Sequence, residues 1–408
     1  MALAGHVHAQ GLPPWVPEGH LPLPEDARSV EILRREEPIF AGANASAPRR
    51  GAAAQSARLP LLGRQSGAGC HTDFLLVGSV AWVCGDGVRI STELPVARGA
   101  EPPAAADGLP RDYYFVGKDG TLGYRDIAQA DETAPAGELQ AGFAVSVLRV
   151  ERAPSGDPFG LTTKGLWLPL RDLTKVSPLG FEGYEVSKGL LDRGWVVADA
   201  APITVTPAGK RLGGRALHRF DRVTVLETRE DAQARTWVRI GDAEWLDGRD
   251  VRIPELSAPP PEARPRERWI DVDLGREVLV AYEGAEPVFA TLVSTGLGQA
   301  PAPTATPVGV HRIWVKLRTT DMTNLEDREA AHYYAMEEVP WVLFFEKGFG
   351  LHGAFWHRSF GSPRSHGCVN LTPLDAHRLF EWASPRLPPG WTAVLPTDYD
   401  PGTLVRVR

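Results

Sequence analysis

A chain of 408 residues, 43% hydrophobic and 23% charged, exceeds one ordinary core and predicts two to four domains. Its formal net charge of −7, with no basic stripe, argues against a nucleic-acid partner, and no apolar run reaches the ~18 residues that cross a bilayer. The 42 glycines and 36 prolines, both above ordinary usage, predict many turns and short strands rather than long helices.

Residues 1–27 read as a Pro-rich tail without the charged n-region and apolar h-region of a secretory leader. Three β-rich stretches follow, expected at 28–97, 111–190 and 191–256. Phe74-Leu75-Leu76-Val77-Gly78 precedes Trp82, and Trp237-Val238-Arg239-Ile240-Gly241 precedes Trp245 at the same offset. A related ending recurs as Trp167-Leu168-Pro169-Leu170-Arg171-Asp172 and Trp245-Leu246-Asp247-Gly248-Arg249-Asp250. Repeats of roughly 80 residues built from short strands predict small barrels with separate cores, their tryptophans serving as anchors. This spacing resembles bacterial SH3-like domains, which implies three such units.

Cys70 and Cys84 stand in one short β-rich stretch and are candidates for a disulfide, whereas Cys368 stands apart. The alternative for the first two is a pair of buried thiols. The Ala/Gly-rich run 41–57 reads as a loop. Pro/Ala-rich segments at 98–110 and 257–265 read as semi-extended linkers.

A final domain is expected at 266–397. Ile270, Val272 and Leu274 alternate with polar residues, and turns at Gly275-Arg276 and Gly284 punctuate an antiparallel meander that runs on through Val278 and Val288. After Thr306-Pro307-Val308-Gly309 a strand begins at Val310. The polar, acidic stretch 319–338 suits a flap over a site, and a strand from Val339 leads into the chemistry. Thr372-Pro373-Leu374-Asp375 starts a short helix, with cap, first-turn proline and acid in order. Ala376, Leu379, Phe380 and Ala383 form its apolar face, and Pro385 ends it.

Between strand and helix lies Ser365-His366-Gly367-Cys368-Val369-Asn370, with His352-Gly353 upstream. A free thiol is only a few per cent thiolate at neutral pH, so a nucleophilic cysteine needs a base, and imidazole is the usual one. A tight strand-to-helix turn also lets backbone N–H groups aim at a developing oxyanion.

These positions resemble the signature of the L,D-transpeptidase catalytic domain (YkuD type). Val272-Asp273-Leu274, Ser294-Thr295-Gly296, Thr306-Pro307-Val308-Gly309 and Val339-Pro340-Trp341 agree in order. The interval between His352 and Ser365 is slightly shorter than the family's usual spacing, which shortens the loop over the site. The resemblance implies Cys368 as nucleophile and His352 as base, oriented by the carbonyl of Gly353. It implies the amides of Gly367 and Cys368 as oxyanion donors, His366 as a pocket wall and Asn370 as a brace for the turn. Ser365, Tyr334, Met336 and Trp356 fall where substrate contacts are expected, with Tyr333 in the flap.

The implied reaction is attack on the carbonyl of an L-centre in a peptidoglycan stem tetrapeptide, release of D-alanine, and transfer of the acyl group to an amine of a neighbouring stem or a wall-linked protein. Neither metal nor organic cofactor is required, and carbapenem-type β-lactams are expected to acylate the same sulfur. The implied location is extracytoplasmic, periplasm or cell envelope, the leader not being visible in this chain. The same fold using water would be an L,D-carboxypeptidase or hydrolase, and a non-catalytic wall-binding protein is a third reading. A zinc site from His352, His357, His366 and Cys368 lacks the usual paired spacings. His311, His332 and His357 read as surface or packing histidines. A papain-like peptidase places its cysteine well before its histidine, the reverse of the order here.

Overall fold

Short alternating strands closed by turn residues dominate the computed structural model, which describes residues 21–96, 106–130, 134–177, 179–299, 302–324 and 334–408. The chain divides into two compact units, residues 1–102 with 387–397, and residues 103–386 with 398–408.

In the first unit Ser29–Ile32 pairs with Arg58–Pro60 and Val88–Ser91, while Glu37–Phe40 pairs with Arg49–Ala53. Alternation points Val30, Ile32, Ile39, Leu59, Leu75 and Val83 into one core, which Trp391 and Val394 complete. Three expectations change here. Run 41–57 contains the strand Arg49–Ala53 rather than only a loop. Trp391–Val394 pairs with that strand, so residues 387–397 pack as part of this compact unit. The described end of the tail is also attached, because Leu21 N–H donates to Arg64 O at 2.7 Å and Leu23 and Ala27 pack on the core. Cys70 and Cys84 form a disulfide with their Cα atoms 5.7 Å apart.

The second unit begins with a β stretch in which Asp112–Val116, Ala144–Arg152, Pro158–Thr162 and Trp167–Pro169 pair in succession. A further β stretch follows, where Val196, Ala201, Ile203, Val238 and Leu246 form the core. Trp82, Trp167 and Trp245 sit on strands that each run into a three-residue 3-10 turn, and all three are buried. They are core anchors. Two boundaries move: Tyr184–Glu185 pairs with Glu286–Leu292, tying the end of the expected 111–190 domain into the final domain's sheet. Gly108, Leu109 and Pro110 are buried, so the described end of the expected linker is packed rather than free.

The catalytic-type fold is built on a six-stranded sheet in the order Tyr184–Glu185, Glu286–Leu292, Val278–Glu283, Arg268–Asp273, Leu404–Val407, Gly309–Arg312. Leu404–Val407 runs parallel to Arg268–Asp273, which carries this fold past the expected limit at 397. A long antiparallel hairpin, Val315–Thr323 with Ala335–Glu346, occupies the described part of the expected flap. Tyr333 and His332 lie outside the described residues. The second hairpin strand continues into Phe349–Gly353, which pairs in parallel with Val369–Leu371. The helix Pro373–Trp382 then starts on the Thr372 cap and buries Ala376, Leu379 and Phe380. Among the described residues no helix is long and apolar enough to cross a membrane.

Candidate active site

Two adjacent parallel strands set the geometry. His352 pairs with Asn370 and Leu351 with Val369, and extending that register by one residue sets Cys368 opposite Gly350. Residues in register, and residues two apart, share a face of the sheet. Cys368 immediately precedes the strand Val369–Leu371, so it lies two residues from Asn370, the partner of His352 across the parallel pair.

The imidazole of His352 is 2% exposed and lies within 3.3 Å of the Gly353 carbonyl through Nδ1. A proton on Nδ1 satisfies that carbonyl and leaves Nε2 as the basic nitrogen. Burial pushes the pKa of the ring down to about 4, partly opposed by the same carbonyl. Trp356 stacks on the ring, with centroids 5.7 Å apart and planes at 25°. Burial pushes the Cys368 thiol up, opposed by the backbone N–H of Gly350 aimed at the sulfur. Sγ also lies 3.8 Å from the Gly348 carbonyl. Thiol and imidazole are thus both neutral at rest.

The turn carrying the sulfur is fastened by Ser365, whose hydroxyl accepts the Gly367 N–H at 3.0 Å and donates to the Cys368 carbonyl. Gly367 has φ of 119°, and a Cβ there would lie 2.3 Å from the Phe349 ring, so the position admits only glycine. Because its N–H is engaged within the turn, Gly367 does not present an oxyanion donor in this conformation. That corrects the expected pair of amides, of which Cys368 remains.

Ser294 and Asn370 exchange backbone hydrogen bonds at 3.0 and 2.9 Å, and Gly296 bridges to Ser365. Behind them Glu277, 2% exposed, accepts the Thr295 N–H at 2.8 Å and the Thr295 hydroxyl. Burial raises its carboxyl to about 7, the Thr295 bonds opposing. Asn370 turns its amide to His357 Nε2 at 2.8 Å, while Ser359 N–H donates to Nδ1 at 3.1 Å. A neutral ring that accepts at Nδ1 carries its proton on Nε2, so the amide oxygen faces it, which also gives the otherwise unpartnered Oδ1 a donor. Burial, together with the nearby Arg364 and His352, holds His357 down at about 4.

Tyr334 approaches Cys368 closely enough that a thiolate there, added to burial, raises its phenol. Its ring stacks on the exposed His366 at 5.8 Å. The structure therefore brings Cys368, His352, Gly353, Ser365, His366, Gly367, Asn370, Tyr334 and Trp356 to one locality. Met336 departs from expectation: it packs against the cluster of Leu109, Tyr113, Ala144, Val176 and Phe355 rather than facing the sulfur. Sequence reading passed over Glu277, Phe349 and the Gly350 amide, since nothing local marks a residue that acts through backbone or through a partner distant in the chain.

Residues 267–407 match the family model described as the L,D-transpeptidase catalytic domain, YkuD. No curated protein matches the chain. Among solved structures, a mutant L,D-transpeptidase of Enterococcus faecium is 21% identical over 35% of this chain and 50% of its own, with a TM-score of 0.26. The chain thus spans half the length of that protein. The catalytic domain of the E. faecium enzyme, solved by NMR, is 22% identical over 36% of this chain and 100% of its own, TM-score 0.27. An L,D-transpeptidase from Mycobacterium smegmatis is 17% identical over 56% and 99%, TM-score 0.26.

Proposed function

We propose that the chain is a cysteine-dependent L,D-transpeptidase of the cell envelope that acts on peptidoglycan stem peptides. The observation that carries this reading is the pairing of His352 with Asn370 across two parallel strands, two residues from Cys368, within the segment that matches the family model. In this reading the Cys368 proton passes to His352 Nε2 as sulfur attacks the carbonyl of the L-centre. The Cys368 amide faces the oxyanion. Collapse breaks the bond to D-alanine, whose amine takes the proton back from His352. An acceptor amine then attacks the thioester, giving up its proton to His352 and restoring the thiol. Tyr334, His366 and Trp356 border the bound stem.

Incubating the purified chain with tetrapeptide muropeptides and reading the products by mass spectrometry tests the reading. Dimers joined 3→3 support transfer, and tripeptides alone indicate water as acceptor and an L,D-carboxypeptidase instead. Unchanged tetrapeptide removes both. Intact mass after exposure to a carbapenem is expected to rise by one adduct, and the Cys368→Ala variant is expected to gain none.

A further inference from the structure

We propose that Tyr113, contributed by the β stretch ahead of the catalytic-type fold, is a positioning residue for His352 and acts through Phe355 and Trp356. The inference rests on the reading of His352 as base. Among the described residues no carboxylate hydrogen-bonds this imidazole; it meets one peptide carbonyl at 3.3 Å, so the orientation of its plane falls to packing. The packing is a relay of rings. Tyr113, 1% exposed, lies 4.4 Å from Phe355 between centroids, and Phe115 supports the same ring at 6.3 Å. Phe355 meets Trp356 edge-on at 5.1 Å, and Trp356 stacks on His352. Edge-to-face and offset contacts in this range fix ring orientation as well as burying area.

Tyr113 is itself held firmly. Its hydroxyl donates to the Glu338 carbonyl at 2.6 Å, and Arg111 Nε donates to the Glu338 carboxylate at 2.9 Å. Glu338 has φ of 51°, a left-handed conformation costly for an L residue, so these bonds fasten a strained point of the hairpin. Upstream, Trp341 Nε1 donates to the Gly108 carbonyl at 2.6 Å, which fixes the entry to the same strand. Among the described residues, His357 on the same segment interacts electrostatically with the imidazole and Cys368 immediately precedes the parallel strand, while Arg111 and Glu338 close on each other beside Tyr113. Removing the Tyr113 ring frees Phe355 to turn, lets Trp356 lift, and admits water to the imidazole, whose affinity for protons then returns toward that of a free histidine.

The test uses the full chain and iodoacetamide, which reports on the sulfur and its base whatever the natural substrate. Alkylation of Cys368 is followed by intact mass between pH 4.5 and 8 for wild type, Tyr113→Ala, Tyr113→Phe, Phe115→Leu and His352→Ala. Wild type and Tyr113→Phe are expected to share an acid limb at low pH. In Tyr113→Ala that limb is expected to rise by about one unit, so that the rate at pH 4.5 falls about threefold against wild type. Phe115→Leu is expected to shift it the same way by less. A folded Tyr113→Ala with the wild-type limb overturns the inference, and if that variant does not fold, an unshifted Phe115→Leu overturns it. A wild-type profile that His352→Ala reproduces overturns instead the reading of His352 as base.

Discussion

Burial keeps His352 neutral: with its pKa lowered to about 4, the ring is able to accept a proton throughout mildly acid and neutral solution. The acid limb of kcat/KM is accordingly expected near pH 4 to 5, well below that of an ordinary histidine near 6.5, and a pH-rate profile of the free enzyme checks this. Replacing the ring in His352→Ala is expected to lower kcat by at least ~10³, the scale of loss in nucleophile–base units, measured by muropeptide turnover. Glu277 shows the opposite titration. Its folded pKa of about 7 lies above the ordinary carboxylate value, so its contribution to stability is full at low pH and is lost as pH rises through 7. Thermal melting of wild type is therefore expected to fall between about pH 4.5 and 7, by up to about 1.4 kcal/mol per unit, and to level off above 7. Glu277→Gln keeps the shape and an acceptor for the Thr295 N–H, and its melting is expected to stay level over that range. An equal decline in the variant would assign the effect elsewhere.

At the level of elements, the turn carrying Cys368 is followed by a helix whose end is closed by a buried lysine. Lys316, fully buried, donates to the carbonyls of Phe380 and Ala383 where the helix runs out of internal partners. Burial lowers its pKa to about 7. Lys316→Met fills the same volume but leaves both carbonyls bare, and is expected to cost about 2 kcal/mol, read as a lower urea midpoint. The turn itself was legible because its parts are contiguous: Ser365, Gly367 and Cys368 interact within four positions of one another. The helix was legible for the same reason, its cap, proline and apolar spacing all lying in one short run. Lys316 was not, since its partners lie 64 and 67 positions away. The polar run 319–338 misled for a physical reason. Its described strands pair with each other and meet a neighbouring β stretch through polar contacts such as Ser146 to Glu337, so solvent exposure is not what its polarity records.

For the molecule as a whole, composition and punctuation revealed a mainly β, multidomain chain, but not where its units close. Leu404–Val407 and Trp391–Val394 are ordinary short strands whose sequences carry no hint that they complete sheets begun more than a hundred and three hundred residues earlier, respectively. Pairing at such separations is decided by packing, which local pattern does not encode. The sulfur inventory gives a direct check on this scale. Alkylation in denaturant, followed by intact mass, is expected to mark one of the three cysteines before reduction and all three afterwards. Three marks without reductant would contradict the Cys70–Cys84 bond. Closing that loop is worth about 3 kcal/mol by chain-entropy reasoning, so the first unit is expected to melt earlier once reduced.

That bond and the solitary thiol pose a compatibility problem that the buried pair resolves. Oxidants such as peroxide attack the ionised form of sulfur, and surroundings that favour one covalent cystine threaten every exposed thiolate in the same chain. In the proposed reading Cys368 escapes because burial holds its thiol up and the His352 ring is uncharged at rest, so the sulfur keeps its hydrogen. On that reading, chemical durability of the sulfur follows from the same desolvation that leaves the imidazole unprotonated.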